Sequence, residues 1–99
     1  QGHFPEAPIM PGVLMIEALA QLGGILIHMK GHHDKIAVLL TVNNAKFRNP
    51  VKPGDILILK AESIHLSSKA GRMQATATVN EKVAVEAEIG FALVDRSQI

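Results

Sequence analysis

The chain contains no cysteine, no tryptophan and no tyrosine, and three phenylalanines are its whole aromatic complement. Without cysteine there can be no disulfide scaffold, no thiolate metal site and no cysteine nucleophile. Aromatics too scarce to stack bases, with a formal net charge of +1, argue against a nucleic-acid partner. Charged residues are only 19% of the chain and well mixed, unlike a disordered acidic or basic tail. Long uninterrupted apolar runs are missing as well. Val13–Met29 is the one candidate membrane span, but its 17 residues are broken by Glu17, Gln21 and His28. A span wants about 20 apolar residues, and a carboxylate inside one costs roughly 2.5–3.5 kcal/mol on insertion scales. The stretch therefore reads as a buried helix, with no membrane insertion. Three prolines ahead of it, and no basic flank, do not read as a signal peptide.

What is present is aliphatic. Hydrophobic residues are 47% of 99, enough for one small domain with a core of Leu, Ile, Val, Ala and Met. Pro5, Pro8 and Pro11 recur every third residue, which forbids regular helix and predicts a stiff, extended loop. From Pro11-Gly12 the run VLMIEALAQLGGILIHMK carries no proline and stops at Gly31, the usual asymmetry of a helix start and end. The run is apolar almost all round, as a buried helix would be. Its polar groups share one stripe: Glu17, Gln21, Gly24 and His28 stand at i, i+4, i+7 and i+11. Gly23-Gly24 costs roughly 1 kcal/mol per residue in helix propensity, so a backbone or a ligand is expected to approach closely there.

Beyond a polar hinge, Gly31–Lys35, the period changes to two. Strands are expected over Ala37–Arg48, Ile56–Leu66, Met73–Val79 and Val83–Val94, with Gly90 marking a bulge. Met73, Ala75, Ala77 and Val79 form one inward row, and Val83, Val85, Ala87, Ile89, Phe91 and Leu93 another. One helix followed by a meander of long strands predicts an α+β fold with an antiparallel sheet curved around the helix. Such a sheet leaves one side of the helix uncovered, so a further segment or a partner chain has to complete it.

The chemistry concentrates between Gly2 and Gln21. His3 sits in the proline-stiffened loop, which holds an imidazole in place at low entropic cost. Glu17 lies mid-helix on an apolar background, where loss of water favours the protonated carboxyl and makes it a proton donor. Gln21 is one turn on and can orient that carboxyl. Gly12 opens the helix, where free amides and the dipole favour developing negative charge. A base, an acid and an oxyanion donor are thus expected to converge on one apolar region. Read from spacing alone, such carboxylates and histidines are structural about as often as catalytic.

The same residues carry a resemblance. His3-Phe4-Pro5, Pro8-Ile9-Met10-Pro11-Gly12-Val13-Leu14 and Glu17-Ala18-Leu19-Ala20-Gln21 closely resemble the central motif of the (3R)-hydroxyacyl-acyl carrier protein dehydratases of FabZ type, which have the hot-dog fold. A second block, Lys46-Phe47-Arg48 with Pro50-Val51 and Pro53-Gly54-Asp55, is similar too. The resemblance implies a catalytic pair, His3 and Glu17, with the Gly12 amide polarising the thioester carbonyl and Gln21 in support. Glutamate at position 17 implies plain dehydration to the trans-2-enoyl product, because isomerising relatives carry aspartate there. Phe4, Pro5, Met10 and Met15 become candidates to line an acyl tunnel. Lys46, Arg48 and Lys52 become candidates to meet the acidic acyl carrier protein. The resemblance further implies a cytoplasmic homodimer, commonly three to a hexamer, with His3 of one chain meeting Glu17 of its neighbour.

It implies no cofactor, since the substrate rides on the carrier's phosphopantetheine thioester, and elongation in type II fatty-acid synthesis as the setting, with acyl chains going on to phospholipid and lipid A. Family members carry a first helix and two strands ahead of the matching region, so residues 1–99 are expected to be a hot-dog dehydratase domain without those elements. Glu6-Ala7 departs from the family's usual Gly and small polar residue, which touches substrate entry more than chemistry. Two other classes stay open: a hot-dog thioesterase, and a non-catalytic acyl-binding module. His28, His32, His33 and Asp34 are expected to form a solvated hinge with no metal, because Gly31 breaks the helix between them.

Overall fold

The computed structural model of the protein describes residues 10–98. Its elements run α1 (Gly12–Met29), β1 (Lys35–Phe47), β2 (Ile58–Leu66), β3 (Ala70–Val79), β4 (Lys82–Asp95) and a short 3-10 turn, Arg96–Gln98. The helix starts where expected because Pro11 is extended (φ −60°, ψ 140°) and lacks an amide donor. It stops at Lys30, whose amide bonds back to Leu26 (3.0 Å), and Gly31 follows in the left-handed region at φ 103°. The strands form one sheet in the order β1-β4-β3-β2, every neighbouring pair antiparallel. The helix lies on one face of that sheet and touches all four strands.

The core sits between them. Met15, Leu19, Gly23 and Ile27 are the buried stripe of α1. They meet the inward row of β3 (Met73, Ala75, Ala77) and of β4 (Val85, Ala87, Ile89, Phe91, Leu93). Of the inward residues expected from alternation, Val79 packs against this core as a partly buried member. The helix is not wrapped all round, however. Val13, Ile25 and Met29 are 57–70% exposed, because a single sheet covers one helix face. Gly12–Met29 is long and apolar enough, by length and composition, to cross a membrane, but here it rests on the sheet through its buried stripe.

The two mid-helix glycines have different reasons. A Cβ at Gly23 would stand 2.9 Å from the buried ring of Phe91, whereas one at Gly24 would meet only the Ala37 Cβ at 3.9 Å. The close approach expected at this pair is therefore an aromatic ring, at Gly23. Gly23→Ala is expected to destabilise the protein by about 1–3 kcal/mol through overpacking, outweighing a helix-propensity gain of about 1 kcal/mol. Gly24→Ala has the propensity gain without the clash and should raise the melting temperature. Thermal unfolding of the two variants side by side checks the contrast.

β1 carries two irregularities. Leu39 pairs with Phe91 and Thr41 with Gly90, so Leu40 is the extra residue of a bulge. Gly90 lies opposite it, and the Thr41 hydroxyl occupies the space a Cβ would need. The bulge expected from Gly90 thus lies on the neighbouring strand. The start of β1 is pinned by Lys35, whose Nζ donates to Asp95 (2.6 Å). That hydrogen bond, with the Asp95 charge, raises the Lys35 amine above its ordinary 10.5, against partial desolvation. A raised ammonium stabilises the fold fully below the unfolded value and loses that contribution as pH climbs through the folded one. Wild-type stability should therefore fall above about pH 10.5. Asp95→Asn should flatten that part of the profile, read by melting temperature against pH.

Candidate active site

Glu17 and Gln21 lie one helical turn apart and line the same cavity of about 430 Å³. The floor is apolar: Ala20 and Gly24 from α1, Ala37 and Leu39 from β1, and Phe91 from β4. Glu17 is exposed in the protomer, so this chain by itself does not remove it from water. The physical reason is the single-sided cover of α1, which leaves the Glu17 face open. Gln21 is exposed beside it.

Gly12 is elsewhere. It lines a second cavity, also about 430 Å³, with Met10, Met15 and Phe47. Glu17 is five positions on from Gly12, which at 3.6 residues per turn is about 140° around the helix. Val13 borders both cavities. The expected convergence of acid and oxyanion donor on one region is therefore not realised within a protomer. The helix turns the two groups onto separate openings. His3, Phe4 and Pro5 lie outside the described residues.

Met10 lines this second cavity, with its amide donating to the Val51 carbonyl (2.8 Å), and Met15 is buried on the helix's inner face. Both tunnel candidates therefore belong to the Gly12 cavity. Of the basic residues, Arg48 is paired with Glu86, across from which Lys46 also stands in register. Lys52 lies in the turn closed by its own amide bonding to Asp55 (2.8 Å). All three side chains are exposed. At the hinge, His28 Nε2 and His33 Nδ1 are 3.2 Å apart, with the rings edge to face. Among the described residues no three His, Cys, Asp or Glu are grouped to hold a metal ion.

Sequence reasoning missed that Phe47 lies against Gly12 and lines its cavity. That place depends on the register of β1 on β4, which local sequence does not carry.

The arrangement of one helix on a four-stranded antiparallel sheet is that of the hot-dog proteins. A putative thioesterase of Lactococcus lactis superposes with a TM-score of 0.82 at 17% identity, over 95% of this chain and 73% of that one. A hexameric hotdog fold thioesterase of Campylobacter jejuni superposes at 0.80 and 14% identity, over 95% and 75%. A Streptococcus mutans protein bound to acetyl CoA does so at 0.77 and 17%, over 88% and 68%. At such identities the likeness establishes the fold.

The family comes from sequence: residues 1–88 match the FabA-like domain, and the chain belongs to that family. It is 70% identical, over all 99 residues, to the 3-hydroxyacyl-[acyl-carrier-protein] dehydratase FabZ of Protochlamydia amoebophila. It is 52% identical to the FabZ of Chlamydia muridarum over 99% of its length. It spans 64% and 66% of those two relatives.

Proposed function

We propose that this protein dehydrates (3R)-3-hydroxyacyl thioesters carried on acyl carrier protein, giving the trans-2-enoyl thioester and water in fatty-acid elongation. The observation that carries this reading is a helix carboxylate, Glu17, opening with Gln21 onto an apolar cavity large enough for an acyl segment. The names of the FabZ relatives support the substrate class. Residues 1–99 act as a hot-dog dehydratase domain, and the enzyme works in the cytoplasm without a dissociable cofactor. Its acyl products serve phospholipid and lipid A.

The chemistry follows from what elimination needs. The proton α to a thioester is weakly acidic, so negative charge building on the carbonyl oxygen has to be stabilised as that proton leaves. His3 takes the proton, and the Gly12 amide, free of an intrahelical partner in the first turn, holds the oxygen. Glu17 gives its proton to the 3-hydroxyl as the C–O bond breaks; the C–H electron pair becomes the double bond and water departs. Gln21 orients Glu17.

Gly12 and Glu17 face different cavities of one protomer, so a complete site draws on two copies of the chain, in dimers that assemble three to a hexamer. The exposed apolar residues Val13, Ile25 and Met29 and the hexameric neighbour support such an assembly. Lys46, Arg48 and Lys52 offer the positive rim that an acidic carrier would meet.

A purified sample given a 3-hydroxyacyl thioester should build up enoyl absorbance with the thioester intact. Release of free thiol would replace the proposal with a thioesterase, and binding without either signal with an acyl-binding module.

A further inference from the structure

We infer that Phe47 is a positioning residue of this site, seating the first turn of α1 so that the Gly12 amide is held on target. The inference rests on the dehydratase reading for its kinetic consequence and on geometry for its substance. The ring lies directly against Gly12: a Cβ added there would stand 2.3 Å from Cε1 and 2.6 Å from Cδ1. Only glycine lets an aromatic ring come so close to the first turn of a helix. Yet Phe47 is 57% exposed, so burial contributes little to explain a large apolar side chain at this place.

The backbone is shaped to put it there. Asn43 pairs with Glu88 and Lys46 with Glu86, so β1 advances three residues while β4 advances two. Asn44, at φ 55°, takes up the extra residue in the left-handed region that Asn tolerates better than most side chains. Without that bulge Lys46 would stand opposite Val85. With it Phe47 does, on the inward row that faces the helix. Bulges that re-aim a side chain are over-represented beside active sites.

The far side is clamped as well. The Arg48 amide donates to the Ala84 carbonyl (2.8 Å), Asn49 Nδ2 donates to the Val83 carbonyl (2.6 Å), and Arg48 pairs with Glu86. Phe47 is thus fixed from both directions and walls the cavity into which Gly12 opens. A donor that stabilises developing charge is effective only when it is aimed before the reaction begins, and the ring supplies that aim.

The test compares Phe47→Ala, Phe47→Leu, Asn44→Val and Asn44→Gly with wild type in kcat, KM and melting temperature. Phe47→Ala should lower kcat at least tenfold with KM within twofold and little change in melting temperature, and Phe47→Leu should recover part of the loss. Asn44→Val, which keeps the ring but opposes the left-handed backbone, should imitate Phe47→Ala, while Asn44→Gly should behave as wild type. A readout free of turnover uses 13C-proline with 15N-glycine labelling, which isolates the two Pro–Gly steps, Pro11-Gly12 and Pro53-Gly54. An unreactive amide analogue of 3-hydroxyacyl pantetheine, which keeps the carbonyl oxygen, should shift the Gly12 amide and not Gly54 in wild type, and lose that effect in Phe47→Ala. A kcat that stays within twofold, or falls only in step with melting temperature, overturns the inference. So does a Gly12 response that survives Phe47→Ala or is missing in wild type. Were wild type to form no enoyl product, the dehydratase reading would fail while the Gly12 response still decided the role of Phe47.

Discussion

Glu17→Gln is expected to lower the dehydration kcat by about 10²–10⁴-fold, the range of a lost general acid, with KM and melting temperature nearly unchanged. Glutamine keeps the shape of the side chain and its place beside Gln21, but it has no proton to give the departing hydroxyl. Because Glu17 is exposed in the protomer, the substitution leaves no buried partner unsatisfied, and surface changes of that kind stay within about 0.5 kcal/mol. The two readouts therefore separate the roles. A purely structural Glu17 would leave turnover intact in Glu17→Gln, and a carboxylate needed for assembly would shift the oligomer size measured in solution. A loss confined to kcat assigns the proton donor. Gln21→Ala should lose less, since it removes an orienting group and not the acid itself.

The second large effect is on stability. Leu19→Ala should cost about 2–5 kcal/mol, toward the upper end. Leu19 is fully buried at the centre of the helix's inner stripe, and several of the core residues across from the helix are alanines: Ala75, Ala77, Ala84 and Ala87. Side chains that short cannot swing inward to fill the space, so the cavity stays open and its full cost is felt. Against a typical total of about 5–15 kcal/mol, that loss would be visible in any denaturant titration. Ile25→Ala, on the face where Ile25 is 57% exposed, makes the control. A small effect there means that the outer helix face is free, and a loss comparable to Leu19→Ala means that assembly buries it.

Much of this was readable before the structure. The helix follows from a proline-free apolar run set between Pro11 and Gly31, and its observed bounds differ from that reading by one residue at each end. The strands follow from alternation, with ends displaced by up to three residues where turn and strand geometry grade into one another. Glu17 and Gln21 sharing a cavity was legible because i and i+4 must share a helix face. The partner of Gly23 was not. Phe91 lies far along the chain, and nothing local says which ring will meet which glycine. The β1 bulges were equally hidden, since an extra residue is defined only against the strand it pairs with. The place of Phe47 against Gly12 was hidden for the same reason.

Local sequence, then, determined the elements, the apolar composition of the core and the sharing of one helix face by Glu17 and Gln21, because propensity, periodicity and functional groups belong to neighbouring residues. The tertiary structure decided which face of the helix is covered, that Glu17 remains open to solvent in one protomer, and that Gly12 turns to a different cavity. It also decided, through the register of β1 on β4, that Phe47 rather than Lys46 faces the helix. Each of these depends on pairing between residues distant in the chain, and pairing is set by how whole surfaces fit together.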